Sequence, residues 1–254
     1  MEAVLKNALT KISLGSWITL AHPAIAEIMA KAGFEWLVVD LEHSVITLRE
    51  AEELIRTIDL CGVKPYVRMT SNDANQIKRV LDAGAKGIIV PMVNSLQEVE
   101  KAANALFYPP KGTRGVGLAR AQGYGAQFNT YLNAHKNFNL IVQIEHINAV
   151  TELENILSHP DLSGFIVGPY DLSASMNIPG QFEDPQFQEA LKKIKVISAK
   201  YPQVKRGFHL VEPNAAELEN LIQENYNFIA YSVDIRMLDV SVRSALHQFK
   251  ELTK

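Results

Sequence analysis

The run "WLVVDLEHSV" ends in three ionisable residues, Asp40, Glu42 and His43, and two further acids, Glu145 in "LIVQIE" and Asp171 in "GFIVGPYDLS", also follow apolar runs. Carboxylates so placed can present hard oxygens to a divalent cation or tune a neighbouring base. Glu145 and Asp171 suit the first role, with water and substrate filling the remaining positions around a Mg²⁺-like ion. His43 suits proton transfer, because imidazole titrates near neutrality and adjacent acids raise its basicity. Arg68, at the end of "KPYVRM", is a fixed cation fit for a substrate carboxylate or a developing enolate. Taken singly, each is compatible with a structural ion pair. Together they favour a site, because burying several unpaired ions costs several kcal/mol apiece.

Competing chemistries find less support. Cys61 is the only cysteine, which excludes an internal disulfide and a thiolate zinc cluster and suits a reducing cytoplasm. No apolar run ends in lysine, which argues against a Schiff base. His22, in "LAHPAI", either lines the same mouth or serves the entry of the next helix. His209 lies inside an apolar run and reads as a core or supporting histidine. His135, His146, His159 and His247 have no evident partners. After Asp171, "SASM" opens a small helix or turn whose free amides either bind a carboxylate or simply cap the helix.

These side chains need a frame that brings distant segments together. Eight β-branched runs, "SLGSWITL", "WLVVDLE", "KPYVRM", "GIIVPM", "LIVQIE", "GFIVGP", "KRGFHL" and "FIAYSVD", alternate with segments whose apolar residues recur at three- and four-residue spacing. A last helix follows from about Met237. Eight such units predict a single-domain (β/α)₈ TIM barrel over residues 1–254; an open doubly wound sheet would be expected to carry a Gly-rich nucleotide loop, which the chain lacks. In such barrels the strand C-termini carry the chemistry, and Asp40 with Glu42, like Gln143 with Glu145, share a strand face. Residues 107–137, rich in Gly, Arg and aromatics, interrupt the rhythm as an insertion expected near the bottom of the barrel, either a packed excursion or an arm toward another subunit.

The composition is that of one large core: 254 residues, 47% hydrophobic, with 25 Lys and Arg against 28 Asp and Glu. No basic block marks a nucleic-acid surface, no run reaches membrane-spanning length, and the start does not read as a signal peptide. A cytoplasmic enzyme without nucleic-acid or membrane partners is expected.

The segments "GSWITLAHPAIAEIMAKAGFEWLVVDLEH", "YVRM", "VLDAGAKGIIVPMV", "YPPKGTRGVG", "QIE" and "GPYDLSASMNIPG" resemble, in order and spacing, the HpcH/HpaI aldolases, metal-dependent class II pyruvate aldolases such as 4-hydroxy-2-oxoheptanedioate aldolase and 2-dehydro-3-deoxyglucarate aldolase. The resemblance implies that Glu145 and Asp171 ligate Mg, Mn or Co, that His43 is the base, and that Arg68 stabilises the pyruvate enolate. It further implies that Gln143 and the amides around Tyr170 and Asp171 hold pyruvate. Asp82 matches an acid that makes the histidine more basic. It falls in "VLDAG", at the end of a predicted helix that a barrel keeps far from its mouth, so Asp40 is the geometrically simpler partner. A hexamer is implied, with the last helix packed on a neighbouring barrel. Two departures, "YSVD" where the family often has Gly before the acid and "SVIT" after His43, bear on the aldehyde partner more than on pyruvate.

The expected activity is reversible cleavage of a 4-hydroxy-2-oxo acid, a 2-keto-3-deoxy sugar acid or hydroxy-oxo diacid, to pyruvate and an aldehyde. The alternatives are oxaloacetate decarboxylation or β-hydroxyacyl-CoA cleavage on the same barrel, and a catalytically silent binding protein.

Overall fold

Each of the eight apolar runs forms a parallel strand, and the strands close on themselves in chain order, β1 pairing with β8. The computed structural model describes residues 12–134 and 138–253, so His135 and the first eleven residues lie outside the described part. The strands are β1 (Ser13–Ile18), β2 (Trp36–Asp40), β3 (Lys64–Arg68), β4 (Gly87–Val90), β5 (Asn139–Ile144), β6 (Leu162–Val167), β7 (Lys205–Leu210) and β8 (Phe228–Val233). The helices are α1 (Pro23–Lys31), α2 (Leu48–Leu60), α3 (Ala74–Ala83), α4 (Leu96–Leu106), α5 (Phe128–Ala134), α6 (Ile147–Thr151), α7 (Leu153–Leu157), α8 (Pro169–Ser175), α9 (Pro185–Ser198), α10 (Ala215–Gln223) and α11 (Asp234–Leu252). This is a (β/α)₈ barrel.

Two elements differ from the sequence pattern. "AVTELENILS" is not one helix but two short ones, α6 and α7, meeting at Glu152. "SASM" does not open a helix: Pro169, whose ring pre-sets helical φ, begins α8 and the Ser residues fall in its last turn.

Alternation along the strands divides the core in two. The larger apolar cluster lies between barrel and helices. A smaller one fills the interior and contains Trp17, Trp36, Val38, Tyr66, Ile89, Ile141, Ile166, Phe228 and Ala230. Its rings interlock, Trp36 stacking on Phe228 at 4.2 Å and meeting Trp17 edge-on at 6.2 Å. A plug of this bulk needs room on the neighbouring strand, and Gly15, in register with Trp36, provides it. Above the plug, the interior-facing positions become polar.

The insertion packs where the helices end, at the barrel bottom. Arg114 bonds Asp82 (2.6 Å), and Arg120 reaches Asp59 (2.6 Å) and the Ala83 carbonyl (3.2 Å). The closure of β8 onto β1 is pinned by buried Asp234, which accepts from the amides of Thr19, Leu20 and Ile235 and from the Thr19 hydroxyl. Among the described residues no helix is long and apolar enough to cross a membrane.

A β-carbon at Gly15 would stand 2.0 Å from the Trp36 ring. Gly15→Ala is therefore expected to lower the unfolding free energy by about 1–3 kcal/mol, the usual cost of overpacking, read as a shifted urea midpoint with an unchanged slope.

Candidate active site

Arg68 ends β3 with its guanidinium buried, 6% exposed, and Asp40 stands opposite it in cross-strand register. The Asp40 carboxylate takes Nε at 2.8 Å and Nη2 at 2.5 Å, a bidentate clamp. Glu42 adds an ion pair from Oε2 to Nη1 at 3.2 Å, and the guanidinium lies 5.6 Å from the centre of the Trp17 ring. Three partners, Trp17 on β1, Asp40 at the end of β2 and Glu42 in the loop that follows, thus hold one planar cation in one orientation.

Asp40 also accepts the backbone amides of Glu42 and His43, at 3.0 and 3.3 Å. This corrects the expectation that Asp40 tunes the imidazole. Its oxygens are committed to Arg68 and to the main chain of the β2–α2 loop, and the acid beside the His43 ring is Glu42, whose Oε2 lies 3.9 Å from Nε2. The His43 side chain is 63% exposed at the rim. Asp82 does not approach it either: at the C-terminal end of α3 it bonds Arg114 and, at 3.3 Å, Gln122. Outward-facing helix ends lie at the bottom of a barrel, so the helix direction that gives Asp82 those partners takes it away from the mouth of its own chain.

Glu145 follows β5 and is buried, 3% exposed. The Met92 amide donates to Oε1 at 2.6 Å and Gln143 Nε2 donates to Oε2 at 2.7 Å. Burial pushes its pKa up to about 7; the Met92 bond and Arg68 oppose the rise, while Glu42 and Asp171 add to it. Asp171, in the first turn of α8, is exposed, and its charge is felt by both Glu145 and Glu42. Burial likewise raises Glu42, against the pull of Arg68. Tyr170, beside Asp171, is 46% exposed.

This donor set fits a hard divalent cation. It contains only oxygen ligands, and the buried Glu145 has neutral hydrogen-bond donors and no direct cationic partner, so a bound cation would supply the charge compensation that burial denies it. Gly168 leaves the carboxylate its room, since a β-carbon there would stand 2.9 Å from Glu145 Oε2. The Gln143 Oε1 atom is buried without a hydrogen-bond partner among the described residues. Among those residues no cluster of three or more His, Cys, Asp or Glu could hold a metal.

Four further histidines, His22, His146, His159 and His209, have structural partners. His22 and His146 cap α1 and α6 by accepting an amide at Nδ1, and His159 accepts the Asp161 amide. His209 stacks on Trp17 at 4.5 Å, with Nε2 at 3.4 Å from the Ser232 carbonyl. Ser232, in the "YSVD" segment, adopts a left-handed φ of 57° and donates to the Val211 carbonyl. Two contributors to the site were not identified from sequence, the Trp17 face and the Met92 amide. The first is hidden by its apolar type, the second by being main chain.

A closed barrel whose mouth gathers carboxylates around one buried arginine defines the class: a (β/α)₈-barrel enzyme with an oxygen-only acidic site. The sequence model of the HpcH/HpaI aldolase/citrate lyase family matches residues 13–239, and the chain belongs to that family. It is 35% identical over 230 residues to a hydroxypyruvate/pyruvate aldolase of Sagittula stellata, covering 89% of this chain and 88% of the relative. To a 2-keto-3-deoxy-L-rhamnonate aldolase of Klebsiella pneumoniae it is 31% identical over 259 residues, covering 98% and 96%. Its fold superposes on a crystal structure of a family member from Burkholderia cenocepacia with a TM-score of 0.89 at 28% identity, covering 97% of this chain and 99% of that one. The protein is a carbon–carbon lyase of the aldolase type.

Burial, reinforced by Arg68, lowers the His209 pKa from 6.5 to about 4, while Ser232 and Asp40 oppose the shift. The unfolded chain therefore binds a proton that the folded chain refuses between those values. Stability is fully present above about pH 6.5 and falls as the pH drops toward 4. The residue keeps some accessible surface, so a loss of about 2 kcal/mol is expected. His209→Gln should flatten the urea-midpoint profile over that window relative to the unaltered protein.

Proposed function

We propose that this mouth carries out divalent-metal-dependent, reversible cleavage of a 4-hydroxy-2-oxo acid to pyruvate and an aldehyde. What supports the reading is the buried Glu145, held by neutral donors, on which the charges of Asp171 and the clamped Arg68 both bear. Glu145 and Asp171 would hold the cation, Mg, Mn or Co. Bound there, it would supply Lewis acidity toward the 2-oxo group.

The chain's own residues do the rest. His43, exposed at the rim, takes the proton from the 4-hydroxyl, directly or through water, as the bond between carbons 3 and 4 breaks. In the synthetic direction it returns that proton to the new alkoxide. Glu42 Oε2 stands 3.9 Å from Nε2 of the ring. Arg68 is held so that it faces the oxygen on which enolate charge develops, a contribution of about 3 kcal/mol if it acts like one oxyanion donor. Gln143 and the first-turn amides of Tyr170 and Asp171, which have no partners within α8, orient the oxo acid. Asp82 could serve an imidazole only across a subunit boundary.

Assembly belongs to the same proposal. Leu238, Val242, Leu246 and Phe249 recur along α11 and are exposed, an apolar stripe of the kind another copy would cover, consistent with the hexamer implied by resemblance. A cytoplasmic location completes the reading.

Chelation followed by metal replacement should abolish and then restore pyruvate release from 4-hydroxy-2-oxo acids; activity that survives chelation sinks the metal mechanism. Glu145→Ala should lose metal binding and activity together. His43→Ala should reduce cleavage about 10²- to 10⁴-fold, the range of a general base, while metal affinity measured by calorimetry stays nearly unchanged. Leu246→Glu with Phe249→Glu is expected to lower the mass seen by light scattering, and an unchanged mass would remove α11 from the interface.

A further inference from the structure

The turn after β4 contains an arrangement that capping of α4 does not require. Met92 sits at φ 53°, in the left-handed region that a side chain with a β-carbon rarely adopts, and its amide donates to Glu145 Oε1 at 2.6 Å. The conformation is held from outside the mouth. Asn94 Nδ2 donates to the Met92 carbonyl at 3.0 Å, and the Asn94 amide donates to Glu98 Oε2 at 2.6 Å. Glu98 lies in the first turn of α4, where its own amide donates to Ser95 Oγ at 3.3 Å, and its carbonyl accepts Asn72 Nδ2 at 2.8 Å. The chain of contacts thus runs from the β3–α3 loop through the start of α4 to the buried carboxylate.

The two Glu145 oxygens are divided between two donors. Gln143 holds Oε2 from the same strand, two residues away, so it moves with β5. Met92 holds Oε1 from a different strand's loop and is the contact that fixes the carboxylate relative to the rest of the mouth. Met92 as a residue is 45% exposed, so core packing does not explain the unusual backbone.

We propose that Met92 is a positioning residue that acts through its main chain. Its left-handed amide, locked by Asn94 and Glu98, orients Glu145 for the cation. The inference rests on the reading of Glu145 as a metal ligand. It requires that the backbone conformation at position 92 matter and the side chain not. Glycine adopts left-handed φ freely, whereas β-branched residues resist it most.

Mn²⁺ binding to the metal-free protein, followed by electron paramagnetic resonance without substrate, tests this, with the thermal midpoint of each metal-free variant as a check on folding. Met92→Gly is expected to bind within twofold of the unaltered protein. Met92→Ile, nearer in size but averse to the conformation, should bind about tenfold more weakly, the scale of losing a contact that orients a metal ligand. Asn94→Ala should weaken binding in the same direction, and it provides the test if Met92→Ile does not fold. Equal weakening by Gly and Ile would assign the effect to the side chain and overturn the proposal, as would full binding by both Met92→Ile and Asn94→Ala. Glu145→Gln separates the two levels: if it binds Mn²⁺ normally, the metal-ligand reading fails and the positioning role with it. If Glu145→Gln loses binding while Met92→Ile and Asn94→Ala retain it, only the positioning role fails.

Discussion

A guanidinium buried at the mouth of a barrel has to be paired, and the pairing of Arg68 organises everything around it. Its bidentate partner is fixed by strand register, because Asp40 and Arg68 stand opposite each other on β2 and β3. Removing either partner alone would leave an uncompensated buried charge, a loss of about 3–5 kcal/mol. The same Asp40 carboxylate accepts the amides of Glu42 and His43. The β2–α2 loop that presents the proposed base is therefore tied to the cation that faces the proposed enolate, and the two cannot move independently without breaking a buried charge pair.

Beyond that pair, the mouth carries more negative than positive charge. Asp40 and Glu42 are both drawn to Arg68, leaving Glu145 with two neutral donors and a pKa pushed up to about 7, and Asp171 in the first turn of α8. A carboxylate buried this way is held at a free-energy cost that a divalent cation would offset. The interior plug of Trp17, Trp36, Tyr66 and Phe228 makes this possible by excluding water from below and giving the polar layer a rigid floor.

Much of this was legible in the chain. The eight strands follow from β-branched runs, because a strand buried on both faces must be apolar throughout, and the polar residues at the ends of β2, β3 and β5 follow from the alternation of side chains. Other features were not. "AVTELENILS" has a continuous helical spacing, yet it forms two short helices. His146 and His159 looked unpartnered because the amides that they accept become available only when the local backbone turns, whereas His22 takes the helix-entry role that its place before Pro23 had left open. Asp40 looked like the partner of His43 because the two are three residues apart, but the end of a strand sends the side chain inward while the loop carries the imidazole out to the rim.

The sequence by itself determined the barrel, the order of its elements and the polar residues that end β2, β3 and β5, since apolar periodicity and strand alternation are local properties that survive without knowledge of neighbours. Only the tertiary structure decided which acid pairs with which base. Asp40 was assigned to Arg68 by cross-strand register, Glu42 to both Arg68 and His43, and Asp82 to Arg114 at the opposite end of the barrel. Nor could the chain announce the Met92 amide, because every residue except proline has one, and its direction exists only after β4 and β5 have paired.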